Sequence, residues 1–93
     1  MIKATLTHKN TRTQTERIEL PDTVDVGDII CVIEEAIRNF DYSDCIDAEI
    51  FEVALEDGRV YYCYEVVPNK YRLYVAGFDE DGEYYNWIAD FIL

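Results

Sequence analysis

The side chains in this chain that could serve nucleophilic catalysis are one histidine, His8, and three cysteines, Cys31, Cys45 and Cys63. A cysteine or serine nucleophile needs a base beside it. No local motif joins His8 to a cysteine, although a dyad between them stays open, and we expect His8 to be an exposed residue at a strand end. The odd number and wide spacing of the cysteines favour neither a disulfide framework nor a zinc site. We therefore expect buried free thiols.

Two acidic turns, Glu56-Asp57-Gly58 and Asp79-Glu80-Asp81-Gly82, suggest cation binding at first sight. An EF-hand loop has glycine at position 6 and glutamate at position 12. Placing Gly82 at position 6 puts Ile88, which is not a glutamate, at position 12. Placing Gly58 at position 6 puts Val53, whose side chain cannot be a ligand, at position 1. No glycine-rich phosphate loop occurs. The sequence thus predicts no cofactor, no metal site, no catalytic residue and no enzymatic activity.

Hydrophobic periodicity predicts the elements that position these side chains. Apolar and polar residues alternate through residues 2–7 and again through Thr15–Leu20, which predicts an amino-terminal hairpin with a cationic, threonine-rich outer face. Apolar residues recur at helical spacing through residues 26–40. Asp25 precedes this stripe, where it can cap the first turn. Glu34 and Arg38 have the favourable order for a helical ion pair.

The rest of the chain predicts a meander with an ambiguous tail. Residues 46–55 fit a helix or a strand, and the Asp-Gly turn that follows favours a strand. Further strands are predicted at Val60–Val67 and Tyr71–Phe78. Residues 83–93 show helical spacing and favour a short helix, with a strand through Glu83–Ile88 as the alternative. The prediction is one α+β domain over residues 1–93, an antiparallel sheet of about five strands with one main helix packed across it, in the order ββαβββα.

Charge is the most unusual property of the sequence. Twenty acidic residues against eight basic ones give a net charge of −12. The first 20 residues carry four bases and two acids, so the negative charge comes entirely from the remainder. This balance opposes direct binding to nucleic acid, whose phosphates attract lysine and arginine. No apolar run approaches the ~20 residues that cross a bilayer, and no apolar leader opens the chain. We expect a soluble, cytoplasmic protein that binds no membrane.

Acids and tyrosines are interleaved along the chain, and together they predict a surface for a protein partner. Tyrosine is enriched at protein interfaces, whereas acids are depleted there unless charge complementarity is needed. The predicted acidic patch comprises Asp41, Asp44, Asp47, Glu49, Glu52, Glu56, Asp57, Asp79, Glu80, Asp81 and Glu83, and the predicted aromatic contacts are Tyr42, Tyr62, Tyr64 and Tyr84.

The predicted function is binding to a basic protein surface. In one form of this hypothesis the carboxylates stand in for nucleic-acid phosphates and inhibit a nucleic-acid-binding enzyme. In size and charge the chain resembles the small acidic inhibitors of phages and mobile elements, such as anti-CRISPR, anti-restriction and uracil-DNA-glycosylase inhibitor proteins; the resemblance is one of composition and includes no motif. The alternatives are an immunity or antitoxin-type protein, an accessory interaction domain, a small-ligand-binding domain, and an acidic surface that is merely solvated.

Overall fold

Six strands form one antiparallel sheet, accompanied by a single helix, in a computed structural model that describes residues 1–9, 14–39 and 48–93. The element order is ββαββββ. In space the strands run β2-β1-β3-β4-β5-β6, so β2 and β6 are the edges of the sheet. The elements are β1 (Ile2–His8), β2 (Gln14–Leu20), α1 (Val26–Asn39), β3 (Ala48–Leu55), β4 (Val60–Val67), β5 (Lys70–Asp79) and β6 (Gly82–Ile92).

Helix α1 begins at the Asp25 cap that the sequence predicts, and Asp28 makes this cap reciprocal. The Asp28 backbone N–H donates to Asp25 Oδ1 at 2.9 Å, and the Asp25 N–H donates to Asp28 Oδ2 at 3.1 Å. These bonds satisfy donors that have no partner within the helix, and both carboxylates face the positive end of the helix dipole. The predicted pair between Glu34 and Arg38 is present at 3.8 Å. Phe40, at the end of the predicted stripe, lies outside the described residues.

The apolar side of α1 packs on one face of the sheet, which we call the core face. Ile29, Ile33 and Ala36 are buried there against side chains from β1 to β5. Alternation along each strand places every second residue on this face. The opposite face is the open face, and no helix or strand among the described residues covers it. Lys3, Thr5 and Thr7 of β1 lie on it. Strand β1 pairs antiparallel with β2, which confirms the predicted amino-terminal hairpin.

Two tight turns join the central strands. Gly58 has φ of 100°, a conformation that suits glycine, and this confirms the predicted Asp-Gly hairpin. The β4–β5 connection consists of Pro68 and Asn69, and Asn69 has φ of 69°. Proline followed by a residue of positive φ is the pattern of a type II turn. The three-stranded meander from β3 to β5 is therefore as predicted.

The predicted order ββαβββα is wrong, because residues 82–92 form a sixth strand and not a short helix. A β-bulge in this strand explains why its residues have the spacing of a helix. Leu73 pairs with Ala89 and Tyr74 pairs with Trp87, so Ile88 is an extra residue in β6. The bulge moves the alternation along by one residue. Tyr84, Ile88 and Phe91 consequently share the core face at steps of four and three, which is also the spacing of a helix.

The reciprocal cap of α1 yields a stability prediction. Replacing Asp25 by alanine removes the side chain that accepts from the Asp28 N–H, and the loss of such a cap costs about 1 kcal/mol. Urea unfolding followed by circular dichroism measures the change. Glu35→Ala, an exposed substitution in the middle of α1, is the matched control and should leave stability nearly unchanged. Equal losses in the two variants would contradict the role of the cap.

Candidate functional site

Five aromatic side chains lie together on the open face across β4, β5 and β6. The Tyr74 and Tyr85 rings stack with centroids 5.0 Å apart and planes at 10°. Tyr64 meets the Tyr74 ring edge-on at 5.3 Å, and Tyr62 lies 5.9 Å from Tyr85. The Tyr85 hydroxyl donates to the Tyr64 hydroxyl at 3.1 Å. Burial and this bond raise the pKa of Tyr85. We call these four residues, with Trp87, the aromatic cluster.

Trp87 lies at the β6 side of the cluster and is held by charged neighbours. The Arg72 guanidinium carbon is 4.7 Å from the centre of its ring, within the range of a cation–π contact. Its indole N–H lies 3.0 Å from Asp90 Oδ1 and 3.2 Å from the Ala89 carbonyl oxygen. Asp90 also pairs with Arg72 at 3.3 Å. Trp87 is 57% exposed and Tyr85 is 51% exposed, so the cluster offers two large apolar surfaces to a partner.

A group of charged side chains borders the cluster on β3 and just after the end of β1. Lys9 Nζ lies 3.0 Å from Glu49 and 3.9 Å from Glu52. The hydrogen bond to Glu49 raises the pKa of Lys9. Burial, followed by the neighbouring Glu52 and Glu49 carboxylates, raises the pKa of Tyr62. Glu49 and Glu52, which we call the open-face acids, are thus partly neutralised by one lysine.

The remaining described acids of the predicted patch lie at one end of the sheet. The β3–β4 and β5–β6 turns sit at the same end, because β3 and β5 run in the same direction. Arg59 pairs with Asp57 at 2.7 Å and holds the pKa of that carboxyl below its usual range. Asp79 Oδ1 accepts the Asp81 backbone N–H at 2.9 Å. We call this group the turn-end acids: Glu56, Asp57, Asp79, Glu80, Asp81 and Glu83.

The structure therefore divides the predicted patch into two groups. Asp41, Asp44, Asp47 and Tyr42 lie outside the described residues. Tyr84 lies on the core face, away from Tyr62 and Tyr64.

A close approach accounts for the position of Tyr84. Its hydroxyl oxygen would be 2.6 Å from a Cβ added at Gly77, so the ring lies directly over the glycine.

Sequence reasoning missed three members of the aromatic cluster, namely Tyr74, Tyr85 and Trp87. Tyr85 and Trp87 are two residues apart, and the strand alternative for residues 83–88 puts them on one face. Tyr74 is cross-strand partner to both Tyr62 and Trp87. The strand alternation of residues 83–88 indicated that Tyr85 and Trp87 share a face, but a helix was the preferred prediction for this segment.

A groove of about 710 Å³ lies where β1, β2 and β3 meet. On the open face it is lined by Lys3, Thr5, Arg17, Glu19 and Ala54, and Glu56 also lines it. Lysine and arginine alternate here with glutamate, and Lys3 is directly opposite Glu19 in the β1–β2 register. The groove thus carries balanced charge over a floor of small side chains.

His8 is buried, so the predicted exposed position is wrong. It is 1% exposed, and its ring meets Phe51 edge-on at 5.1 Å. The alternation of β1 places it on the core face with Ala4 and Leu6, and its Nε2 lies 3.4 Å from Glu16 Oε2. In cross-strand order Phe51 stands between His8 and Cys63. Two strand spacings, about 9.6 Å, separate His8 from that thiol, which is too far for a dyad.

The two described cysteines differ in exposure. Cys63 is buried on the core face as predicted, whereas Cys31 is exposed on α1, contrary to the prediction. Residue 31 falls outside the helical stripe that packs on the sheet. Burial and the nearby Glu65 raise the pKa of the Cys63 thiol to about 12.

A buried carboxyl lies next to Cys63. Glu65 is 3% exposed, and its Oε1 has no hydrogen-bond partner. Tyr71 is its direct cross-strand partner on β5. Burial, followed by the interaction with Glu65, raises the pKa of Tyr71 to about 12. The Tyr71 ring also stacks on Phe91 at 5.3 Å. Sequence reasoning missed Glu65. Alternation along β4 divides its residues between two faces, but it does not say which face is buried.

The described residues contain no group of three or more histidine, cysteine or acidic side chains arranged to hold a metal ion. Nor does the described part of the chain include a helix long and apolar enough to cross a membrane. No protein-family model matches the chain, and no match was found among curated proteins or solved structures. The geometry of the open face is therefore the basis on which a function can be inferred.

The contrast between the cysteines predicts selective alkylation. With a pKa of about 12, Cys63 is thiolate in only about one molecule in 10⁵ at neutral pH, and the core also shields it. Iodoacetamide should label Cys31 in the folded protein and Cys63 only after unfolding in urea. Mass spectrometry of the two tryptic peptides measures both rates. Similar rates in the folded state would show that Cys63 is accessible.

The Tyr71–Glu65 pair predicts a loss of stability at alkaline pH. The tyrosine pKa rises on folding from 10.0 to about 12, so the unfolded chain loses this proton first as the pH rises. The stability contributed by Tyr71 should thus fall between these two pH values, by up to about 3 kcal/mol. Urea unfolding across this range, with Tyr71→Phe for comparison, measures the effect. The difference in unfolding free energy between the wild type and Tyr71→Phe should decrease as the pH rises. A constant difference would contradict the raised pKa of Tyr71.

Proposed function

We propose that this chain is a small acidic binding protein, without enzymatic activity, that acts in the cytoplasm by binding a basic protein surface. The observation that carries the proposal is the aromatic cluster on the open face of the sheet. A sheet with one covered face usually presents polar side chains on the other. Here Tyr62, Tyr64, Tyr74, Tyr85 and Trp87 occupy adjacent positions on that face.

The chemistry of the aromatic cluster suits a protein partner. Tyrosine and tryptophan supply large, rigid contact areas with a polar atom that can hydrogen-bond, and they are enriched at interfaces and among the residues that dominate binding. The rings already contact one another, so little conformational entropy remains to be lost on binding. The contact of Arg72 with Trp87 illustrates that a guanidinium fits over this surface.

The charge of the chain favours a basic partner. A net charge of −12 attracts cationic surfaces and accelerates their association at low salt. The open-face acids border the aromatic cluster, and the turn-end acids lie at one end of the sheet. Lys9 and Arg59 neutralise part of each group. Glu80, Asp81 and Glu83 are exposed at the β5–β6 turn and provide the most accessible negative charge.

The partner in this proposal is a basic protein, and one form of it is an enzyme whose nucleic-acid channel receives the acids in place of phosphates. An immunity or antitoxin-type role predicts a single cognate partner instead. A small-ligand-binding role is favoured by one separate observation, the groove bounded by Lys3, Thr5 and Arg17.

Capture of a partner from an extract of the source cells at low salt tests the proposal. Tyr85→Ala should weaken binding about thirtyfold, since truncating a dominant interface residue costs about 2 kcal/mol. Ile92→Ala is the matched control, an exposed apolar substitution on the same strand and face but beyond the cluster. Glu80→Lys should slow association severalfold compared with Glu35→Lys, which makes the same charge change on α1.

The outcomes separate the alternatives. Displacement of the captured partner by duplex DNA supports the nucleic-acid-mimic form, whereas one partner that DNA does not displace supports the immunity form. The proposal is wrong if no protein is captured at low salt, or if Tyr85→Ala and Ile92→Ala bind alike. Binding of a small molecule in the groove, without capture of any protein, would favour the ligand-binding alternative.

A further inference from the structure

The edge of the sheet beside the aromatic cluster has open backbone positions. Strand β6 has β5 on one side, and no described strand lies on the other. Asp79 and Gly82 pair across a two-residue turn, in which the Gly82 N–H bonds to the Asp79 carbonyl. Bonding alternates along an antiparallel pair. The backbone groups of Glu83, Tyr85 and Trp87 therefore point outward from the edge of the sheet.

The residues at these outward positions have their side chains on the open face, and two of them, Tyr85 and Trp87, belong to the aromatic cluster. Glu83, Tyr85 and Trp87 pair with Phe78, Ala76 and Tyr74 of β5, all on the open face. A strand added beside β6 would place every second side chain next to this carboxylate and these two rings, with Cβ atoms about 5 Å away. The alternate side chains would lie near Tyr84 and Asn86 on the core face.

The two edges of the sheet differ in their protection. Strand β2 carries Glu16, Arg17 and Glu19 within seven residues, and charge on an edge discourages pairing with other chains. From Gly82 to Ala89, β6 carries a single charged side chain, Glu83. Within that stretch the bulge at Ile88 interrupts the edge, and the Trp87 indole N–H contacts the Ala89 carbonyl. The unprotected part of the edge is therefore Gly82–Trp87.

We infer that an extended, basic segment of the partner binds as an additional antiparallel strand along Gly82–Trp87. Arginine or lysine side chains at alternate positions lie against Glu83 and over the Tyr85 and Trp87 rings, and apolar side chains lie between them on the core face. Charge complementarity selects this occupant, because a second copy of the chain would bring another −12 to the same edge. The inference rests on the proposed function and specifies how the partner is held.

Hydrogen exchange with a synthetic peptide of alternating arginine and valine tests the inference. Binding at low salt should slow exchange of the Glu83, Tyr85 and Trp87 amides about tenfold or more, as expected for newly formed hydrogen bonds. The Tyr84 and Asn86 amides, which bond to β5, should change less. Two-dimensional NMR of the labelled protein measures each amide separately.

Methylated peptides provide the matched comparison. In the antiparallel arrangement the arginine amides face β6 and the valine amides face away. N-methylation of the arginine amides should abolish binding, whereas N-methylation of the valine amides should leave it nearly unchanged. A peptide with the same residues in two blocks, one of arginine and one of valine, keeps the charge but loses the alternation and should bind more weakly.

The two proposals fail in different ways. If the peptide binds and Tyr85→Ala weakens it, but arginine N-methylation has no effect and no β6 amide is protected, then strand addition is wrong and binding through the aromatic face remains. If the peptide does not bind at low salt, both the strand addition and the basic-partner proposal are contradicted.

Discussion

Helix α1 is the only cover that the described residues provide for a sheet six strands wide. A helix about 10 Å across spans roughly two strands at ~4.8 Å spacing. The inner strands β1, β3 and β4 therefore supply most of the buried core, together with Ile29 and Ile33. Farther out, the core face is covered by its own large side chains, such as the stacked pair Tyr71 and Phe91. The open face follows from this limited coverage, whereas the β6 edge follows from the open strand order of the sheet.

The same limit explains where the aromatic residues lie. A wide sheet with one helix cannot bury all of its large side chains on one face, so some of them pack against each other on the other face. The stacking of Tyr74 on Tyr85 and the bond from Tyr85 to Tyr64 order this surface without a covering layer. Such an ordered and partly exposed aromatic surface is suited to binding, since partner side chains can pack on it with little rearrangement.

Negative charge is distributed more unevenly than the net value suggests. Several described acids have a cation as partner, as Glu34 has Arg38, Asp57 has Arg59 and Asp90 has Arg72. Local pairing leaves the β5–β6 turn as the most exposed acidic segment. Its position at the start of β6 places charge next to the open backbone edge. Long-range attraction and short-range strand pairing would thus act on the same part of the molecule.

The periodicity of the chain was sufficient to predict most of its local structure. The amino-terminal hairpin, the capped helix and the β3–β5 meander follow from alternation, from the Asp25 cap and from the Asp-Gly turn, because these signals act between residues close in sequence. The carboxyl-terminal strand was only the alternative prediction, since the bulge at Ile88 imitates helical spacing and favoured a helix. Of the candidate site, Tyr62 and Tyr64 were identified together, whereas Tyr74, Tyr85 and Trp87 were missed.

The sequence alone determined the excess of acids, the supply of tyrosines and the elements that carry them. Tertiary structure decided which of these residues meet, because faces and edges depend on strand order and register. It placed Tyr84 on one face and Tyr85 on the other, buried His8 beside Phe51, and divided the acids between the open face and the turn end. Pairing between strands distant in sequence sets these positions, and no local pattern encodes it.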